Sequence, residues 1–151
     1  MFSIKRTDSE DQDFVSLVKL LDAELAIRDG ADSSFYAQFN KIDSIKNVVV
    51  VYLDENPIGC GAFKPYDATS VEVKRMYVSE TARNQKVASQ ILTMLEVWAK
   101  ELGYKKSVLE TGKRQPEAIA LYTKAGYQIT ANYGQYIGVD NSVCFEKTIA
   151  S

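Results

Sequence analysis

The sequence contains no histidine, and this absence restricts its chemistry more than any other feature of the composition. Without histidine the chain cannot form a Ser/His/Asp triad, a histidine-ligated zinc site or a histidine general base. Proton transfer must therefore depend on carboxylates, tyrosine, lysine, serine, cysteine or backbone amides. Proline and glycine are scarce, at 3 and 8 of 151 residues, so a disordered or fibrous chain is excluded.

The sequence also has only two cysteines, a small net charge and no long apolar run. Cys60 and Cys144 lie in separate apolar, strand-like runs, which predicts buried free thiols. The N-terminal residues turn polar at once, so we predict no signal peptide, a cytoplasmic location and no membrane partner. The net charge of −2 lacks the positive excess of a nucleic-acid-binding protein. We also predict no bound metal.

The sequence has no internal repeat, low-complexity tract or linker rich in proline, glycine or serine, so we predict one domain over residues 1–151. The spacing of apolar residues predicts the element order β-α-α-β-β-β-α-β-α-β-β. Ser9 and Gln12 have the spacing of a capping box at the first helix, which is predicted to reach about Arg28. A second, shorter helix is predicted over residues 33–40. The later strands are predicted at 48–53, 58–64, 71–78, 106–111, 127–131 and 143–149, and the later helices at 85–102 and from Pro116 to Gly126.

The strand at 71–78 changes register part-way along its length. Val71 and Val73 share one face, whereas the next apolar residues, Met76 and Val78, have slipped by one position. A β-bulge near Lys74 or Arg75 absorbs such a slip, and bulges often lie beside functional sites.

The basic turn at residues 83–89 (RNQKVAS) lies between this strand and a strongly amphipathic helix. The unpaired N–H groups of the first helical turn and the helix dipole attract anions, and Arg83 and Lys86 add positive charge. The same segment also has an ordinary interpretation as a solvated basic turn, because neither GxGxxG nor GxxxxGK[ST] is complete.

Four segments together resemble the GNAT superfamily of acetyl-CoA-dependent N-acetyltransferases. They are residues 71–78 (VEVKRMYV), 83–89 (RNQKVAS), 109–112 (LETG) and 118–127 (AIALYTKAGY). The resemblance implies an α+β fold of three α/β/α layers, with a mixed, mostly antiparallel sheet splayed at the bulge and helices on both faces. It also implies that acetyl-CoA is the co-substrate.

In this family the diphosphate lies on the turn amides, and the pantetheine arm pairs with the splayed strand. The corresponding cofactor-binding residues here are Met76, Tyr77, Val78, Arg83, Asn84, Gln85, Lys86, Val87, Ala88, Ser89, Ala118 and Tyr122. Asn84 and Lys86 depart from the family, which usually has glycine at these positions. Asparagine tolerates a left-handed backbone, and a lysine that points away leaves its N–H exposed, so we expect weakened or altered geometry in preference to a lost site.

Acetyl transfer requires a base for the amine and an acid for the departing thiolate. Tyr122 matches the family tyrosine beside the CoA sulfur, and a phenol stays protonated at neutral pH. Glu72 and Glu110 are the candidate bases, acting through a water, and the alternative is that bulk solvent takes the amine proton. Each carboxylate also has a structural interpretation, with Glu72 paired to a nearby lysine or arginine and Glu110 bonded to backbone amides.

The amine acceptor, a small molecule or a peptide, is predicted to contact aromatic and acidic groups. The candidates are Glu24, Tyr36, Phe39, Tyr133 and Tyr136, although tyrosine-rich loops also serve for packing. The sequence thus predicts an acetyl-CoA-dependent N-acetyltransferase that works by direct transfer in a ternary complex. The alternatives are a non-catalytic acyl-CoA-binding or sensing module and a cofactor-free interaction domain. A homodimer is compatible with the last strands.

Overall fold

The computed structural model describes residues 2–29 and 45–150, and these ranges contain seven strands and three α-helices. The elements are β1 (Phe2–Thr7), α1 (Gln12–Asp29), β2 (Asn47–Leu53), β3 (Asn56–Pro65), β4 (Ser70–Val78), α2 (Val87–Glu101), β5 (Lys106–Gly112), α3 (Pro116–Lys124), β6 (Gln128–Thr130) and β7 (Ser142–Thr148). Short 3₁₀ turns occupy Glu80–Ala82 and Gly134–Tyr136. The second predicted helix, at residues 33–40, lies outside the described residues.

One sheet contains all of these strands in the order β1-β2-β3-β4-β5-β7-β6. Every neighbouring pair is antiparallel except β4 and β5, which run parallel. Their pairing covers only Ser70–Glu72 against Lys106–Val108, and the two strands separate beyond that point. The mixed, splayed sheet of the prediction is confirmed, and the backbone edges of β4 and β5 face each other across an opening.

The predicted bulge is present at Arg75. Cys60 pairs with Tyr77 while Ala62 pairs with Lys74, so β4 has one more residue than β3 across this step. Arg75 has φ 62°, a left-handed backbone that ordinary residues adopt only where the surrounding structure enforces it. Because of the extra residue, the side chains of Met76 and Val78 rejoin the face that Val73 occupies.

Helices cover both faces of the sheet. On one face, α1 packs Phe14, Leu17 and Val18 against β2 and β3. On the other, α2 packs Ile91, Leu92 and Leu95 against the opposite side of the same strands, and α3 joins that cluster through Tyr122. The three-layer architecture is therefore confirmed.

Close packing of α2 on the sheet depends on Gly61, which lies opposite the bulge. A Cβ atom there would approach Met76 Sδ within 2.6 Å and Ile91 Cγ2 within 2.7 Å. These contacts are shorter than van der Waals separations, so a side chain at this position would push α2 away from the sheet. The glycine explains how the helix approaches the splayed strands closely enough to border the opening.

The start of α1 differs from the capping-box prediction. The Asp11 carboxylate caps the helix and accepts hydrogen bonds from the N–H groups of Asp13 (2.9 Å) and Phe14 (3.2 Å). Ser9 instead bonds Ile45: its N–H donates to Ile45 O, and its Oγ accepts from Ile45 N, both at 2.9 Å. The spacing of Ser9 and Gln12 is compatible with a cap, but the backbone N–H and side-chain oxygen of Ser9 are instead bonded to Ile45.

Both cysteines are free and buried, as predicted. Burial raises the pKa of the Cys60 thiol to about 12, so it stays protonated and unreactive at neutral pH. Within residues 2–29 and 45–150, no helix combines the length and apolar character needed to cross a membrane. Over the same ranges, no three metal-ligating side chains converge on one point.

Candidate active site

The separation of β4 from β5 opens a groove of about 540 Å³, here called the outer groove. It runs from the N-terminus of α2, along the end of β4, to α3. Its lining residues are Leu21, Glu24, Met76, Tyr77, Val78, Ala82, Arg83, Asn84, Lys86, Val87, Ala88, Ser89, Gln115, Glu117, Ala118, Leu121 and Tyr122. Beyond Glu72 the backbone of β4 has no pairing with β5, so this edge can bond an extended, amide-containing ligand.

One end of the outer groove is the turn that leads into α2. Asn84 and Lys86 have φ of 67° and 63°, so both adopt the left-handed conformation in which glycine is the unstrained residue. These two residues shorten the helix, which begins at Val87 and not at the predicted residue 85.

The N-terminus of α2 carries no side-chain cap. Lys86 occupies the cap position without a capping hydrogen bond, and the first turn contains no acidic residue. The start of α1 is different, because the Asp11 carboxylate caps that helix. The first residues of α2, Val87, Ala88 and Ser89, line the groove, and among the described residues Lys86 supplies no side-chain cap, an arrangement suited to an anion.

Arg83 ties the turn to two other elements. Its Nε donates to Val78 O at 2.9 Å, and its Nη2 donates to the Glu24 carboxylate of α1 at 2.6 Å. The guanidinium also lies 5.8 Å from the centroid of the Tyr77 ring. Glu24 thus lies in the outer groove as the partner of Arg83, although the sequence suggested that it contacts the acceptor.

A smaller space of about 120 Å³, here called the inner cavity, adjoins the groove on the α1 side of the sheet. It shares Leu21, Met76, Gln115, Ala118 and Tyr122 with the outer groove. Its remaining lining residues are Leu25, Glu72, Val73, Lys74, Arg75, Glu110, Thr111, Gly112 and Tyr136. A molecule in the groove and a second molecule in the cavity would meet beside Tyr122.

Tyr122 lies at the junction of the two spaces and is 6% exposed. Its ring packs against Tyr127, with 6.0 Å between the centroids, and against Phe145 at 5.9 Å. Burial, and to a lesser degree the Glu110 carboxylate, raise the pKa of Tyr122 above its ordinary value. Its hydroxyl therefore keeps its proton throughout the neutral range and can donate it.

Both candidate bases line the inner cavity. Glu72 is 4% exposed; its Oε2 accepts a hydrogen bond from Tyr133 at 2.7 Å, and its Oε1 lies 3.8 Å from Lys74 Nζ. Glu110 accepts a hydrogen bond from Ser142 Oγ at 2.7 Å. The lysine neighbour matches the structural interpretation of Glu72, and the Ser142 hydroxyl is a side-chain partner of Glu110.

The other predicted site residues divide between these two spaces and their surroundings. All of the predicted cofactor residues line the outer groove except Gln85, whose exposed amide donates to Thr81 O at 3.5 Å. Tyr136 lines the inner cavity, and Tyr133 lies behind it, held by Glu72 and by ring contacts with Tyr66 and Tyr136. Tyr36 and Phe39 lie outside the described residues.

Two charged residues of the inner cavity, Lys74 and Arg75, were not among the predicted site residues. Lys74 and Arg75 follow each other in the chain, and in regular β-structure they would point to opposite faces. The bulge places both on the side of α1. The register slip was the available signal, because an extra residue in a strand puts two successive side chains on one face.

Comparison with known proteins identifies the family. The family model described as "Acetyltransferase (GNAT) family" matches residues 14–127, which include most of α1, all of β2–β5 and the turn before α2. The chain belongs to the acetyltransferase (GNAT) family. The match also covers α3 and both sides of the sheet opening, so the resemblance carried by the four sequence segments is confirmed.

Two curated relatives of this GNAT chain are acetyltransferases by name. It is 36% identical over 93 residues to "IAA acetyltransferase" of Azospirillum brasilense, covering 61% of each chain. It is 30% identical over 118 residues to "Probable N-acetyltransferase 14" of Xenopus tropicalis, covering 78% of this chain and 57% of that one. The match therefore spans less than two thirds of either relative.

Solved structures share the fold. A Klebsiella pneumoniae protein assigned as an acyl-CoA N-acyltransferase superposes with a TM-score of 0.83 at 27% identity, covering 99% of this chain and 98% of that one. A GNAT acetyltransferase from Elizabethkingia anophelis, solved with acetyl-CoA bound, gives a TM-score of 0.60 at 24% identity, covering 68% and 75%. The second likeness bears on the fold alone.

Proposed function

We propose that this GNAT chain moves the acetyl group of acetyl-CoA to a primary amine of a small molecule or peptide, by direct attack within a ternary complex. The observation that carries the proposal is the continuity of the two spaces at Tyr122, with an uncapped helix N-terminus at the far end of the outer groove. Such a groove has room and bonding groups for a long anionic carrier, and the cavity has room for a small acceptor.

The cofactor would lie along the outer groove. Its diphosphate would accept hydrogen bonds from the N–H groups of Val87, Ala88 and Ser89, with Arg83 and Lys86 adding positive charge. The pantetheine amides would bond the β4 edge at Met76–Val78, which β5 leaves unpaired. This arrangement brings the thioester to Tyr122 and the inner cavity.

Groups that border the inner cavity can accept and supply the protons that the reaction moves. The neutral amine nitrogen attacks the thioester carbon and forms the C–N bond, and the C–S bond then breaks. The amine proton passes to Glu72 or Glu110, directly or through water, and Tyr122 gives its proton to the leaving thiolate. The protonated carboxylate then returns a proton to the Tyr122 oxygen through water, so both groups are restored. Backbone N–H groups of β4 beside the bulge would stabilise the oxyanion.

Release of free thiol from acetyl-CoA in the presence of an amine panel tests the proposal. An acetyltransferase releases thiol only when an acceptor is present. Saturable binding of acetyl-CoA without thiol release across a broad panel would instead indicate an acyl-CoA-binding or sensing module.

We place the reaction in the cytoplasm, because the buried cysteines remain unpaired thiols.

The pH dependence of kcat/KM should identify the base. We expect Glu72→Gln or Glu110→Gln, whichever removes the base, to lower kcat/KM by about 10²-fold and to abolish its rise on the acidic side. Glu146→Gln is the matched control, since Glu146 pairs with Lys106 on the same sheet outside the cavity. If both cavity variants keep the wild-type profile, neither carboxylate accepts the amine proton.

A further inference from the structure

The bulge in β4 gives the inner cavity a cationic wall. Lys74 and Arg75 both line it, on the same face of the sheet, and both are largely withdrawn from water: their side chains are 10% and 3% exposed. Burying a cation is costly unless hydrogen bonds and opposite charges compensate it. The partners of these two side chains therefore indicate what the cavity is built to hold.

Arg75 is only partly satisfied within the described part of the chain. Its Nη1 donates to Asp22 Oδ1 of α1 at 2.9 Å, and Asp22 is itself 48% exposed. Its Nη2 is buried and has no hydrogen-bond partner among the described residues. Such groups are rare in native structures, and a guanidinium fork fits the two oxygens of a carboxylate.

The guanidinium also lies beside the wall that α1 contributes. Leu21 and Leu25, one helical turn apart, line the inner cavity, and Asp22 is adjacent to Leu21 in the chain. The ion pair with Asp22 therefore fixes Arg75 between β4 and this wall. Since Arg75 lines the inner cavity, Nη2 is the donor that remains for a ligand oxygen there.

Lys74 supplies a second donor on the same wall. Its Nζ lies 3.8 Å from Glu72 Oε1, which is an ion pair but too long for a hydrogen bond. The other oxygen of Glu72 is already bonded to Tyr133. The ammonium group can therefore turn to a ligand anion while it remains near the Glu72 charge.

Carboxylates complete the cavity. Glu72 and Glu110 line it together with the two cations, so the space presents both signs of charge. An acceptor that carries only an ammonium group would match the carboxylates and leave Arg75 Nη2 without a hydrogen-bond partner among the described residues. An acceptor with an amine and a carboxylate close together would match both.

We infer that the acceptor is a small amino-carboxylate, such as a free amino acid, whose carboxylate binds Arg75 and Lys74 while its amine faces Glu72, Glu110 and Tyr122. This inference rests on the proposed acetyl transfer and narrows its acceptor class. It gives Arg75 a specificity role: the residue binds the part of the acceptor that does not react.

The test compares free amino acids with the corresponding amino acid amides as acceptors in the thiol-release assay. Rates are corrected for the fraction of neutral amine, because the amides have the more acidic ammonium group. In the wild-type protein we expect kcat/KM to favour the acids by at least about tenfold, as a charge-assisted hydrogen bond allows. In Arg75→Met we expect the two acceptors to differ by no more than about twofold, mainly through KM for the acid.

Lys106→Met is the matched control, since it removes a cation that pairs with Glu146 on the same sheet, outside the inner cavity. We expect it to preserve the preference for acids. Acetyl-CoA affinity and the thermal midpoint report whether each variant is folded. Should Arg75→Met not fold, Arg75→Lys keeps the charge without the fork, and we expect it to reduce the preference part-way.

The outcomes separate the inference from the proposed function. Acetylation of the amides as efficiently as the acids, or a preference for acids that remains in Arg75→Met, would overturn the inference. Neither result would contradict the proposed acetyl transfer. If no member of either set releases thiol, calorimetric titration of the CoA-loaded protein with the same acids and amides decides the inference alone. Binding of the acids only would support it, and equal or absent binding of both would overturn it.

Discussion

At the scale of single residues, Tyr122 lies between the two spaces and is the proton donor of the proposed reaction. Its phenol lies at the junction of the outer groove and the inner cavity, and burial raises its pKa above the ordinary value. A phenol with a raised pKa holds its proton and does not ionise within the working pH range. The alkaline side of the rate profile should therefore show no loss from Tyr122 ionisation up to pH of about 10.

Tyr122→Phe should lower kcat by about 10²-fold. This is near the lower end of the rate effects that general acids give, because a thiolate leaves readily at neutral pH even without a proton. Acetyl-CoA affinity should change little, since only a proton donor is removed. Steady-state kinetics and a binding titration measure the two effects. Tyr127→Phe is the control: this neighbouring tyrosine donates to Ser107 Oγ at 2.8 Å, away from both spaces, and its loss should leave kcat unchanged.

An unchanged kcat in Tyr122→Phe would show that the thiolate takes its proton from elsewhere. Equal losses of kcat in the two phenylalanine variants would show a packing effect and no acid role for Tyr122.

Single residues also show how far the sequence predicts the site. The turn residues and Tyr122 were predictable, because they belong to contiguous motifs. The pairing of Glu24 with Arg83 was not, since it joins side chains 59 positions apart through tertiary packing. Arg75 was recognised as a bulge residue, but its contact with Asp22 on α1 depends on how the helix lies across the sheet.

At the scale of elements, the turn before α2 shows how a GNAT chain can lack the usual glycines. Asn84 and Lys86 adopt the positive φ that glycine adopts freely, so the N–H groups of α2 still line the groove. The altered geometry expected from these substitutions is thus a strained backbone with the first helical turn in place. Left-handed backbone costs a residue with a Cβ about 1–2 kcal/mol.

This strain predicts an unusual order of stabilities at position 86. Lys86→Gly should be about 1 kcal/mol more stable than Lys86→Ala, because glycine escapes the left-handed penalty and loses part of the gain through unfolded-chain entropy. Urea unfolding measures the difference. The same pair of substitutions at Gln90, within α2, is the control and should give the opposite order, as helix propensity requires.

An alanine variant at position 86 as stable as the glycine variant would mean that the turn does not hold a left-handed residue there.

The elements themselves were mostly predictable, because apolar periodicity is local. Glycines close the two later helices as expected: Gly103 and Gly126 follow α2 and α3 with φ of +96°. The first residues of the helices were predicted less accurately. At α1 a long-range bond draws Ser9 to Ile45, and at α2 the left-handed residues delay the helix to Val87.

At the scale of the whole molecule, the site arises from how the sheet is assembled. The parallel pairing of β4 with β5 ends at Glu72, α1 and α2 lie on opposite faces, and the opening connects those faces. Acetyl-CoA would enter along α2 and the acceptor would lie on the α1 side. The two substrates would then meet between the strands. A homodimer and a single domain over residues 1–151 stay predictions.

Binding of acetyl-CoA tests this account most directly. Isothermal titration calorimetry of the unmodified protein should show saturable binding of acetyl-CoA that weakens as salt is added, because the diphosphate is held partly by charge. Protein with ligand at about 100 times its dissociation constant should gain about 2.7 kcal/mol of stability. If neither acetyl-CoA nor coenzyme A binds at millimolar concentration, the outer groove is not a cofactor site and the proposed acetyl transfer is wrong.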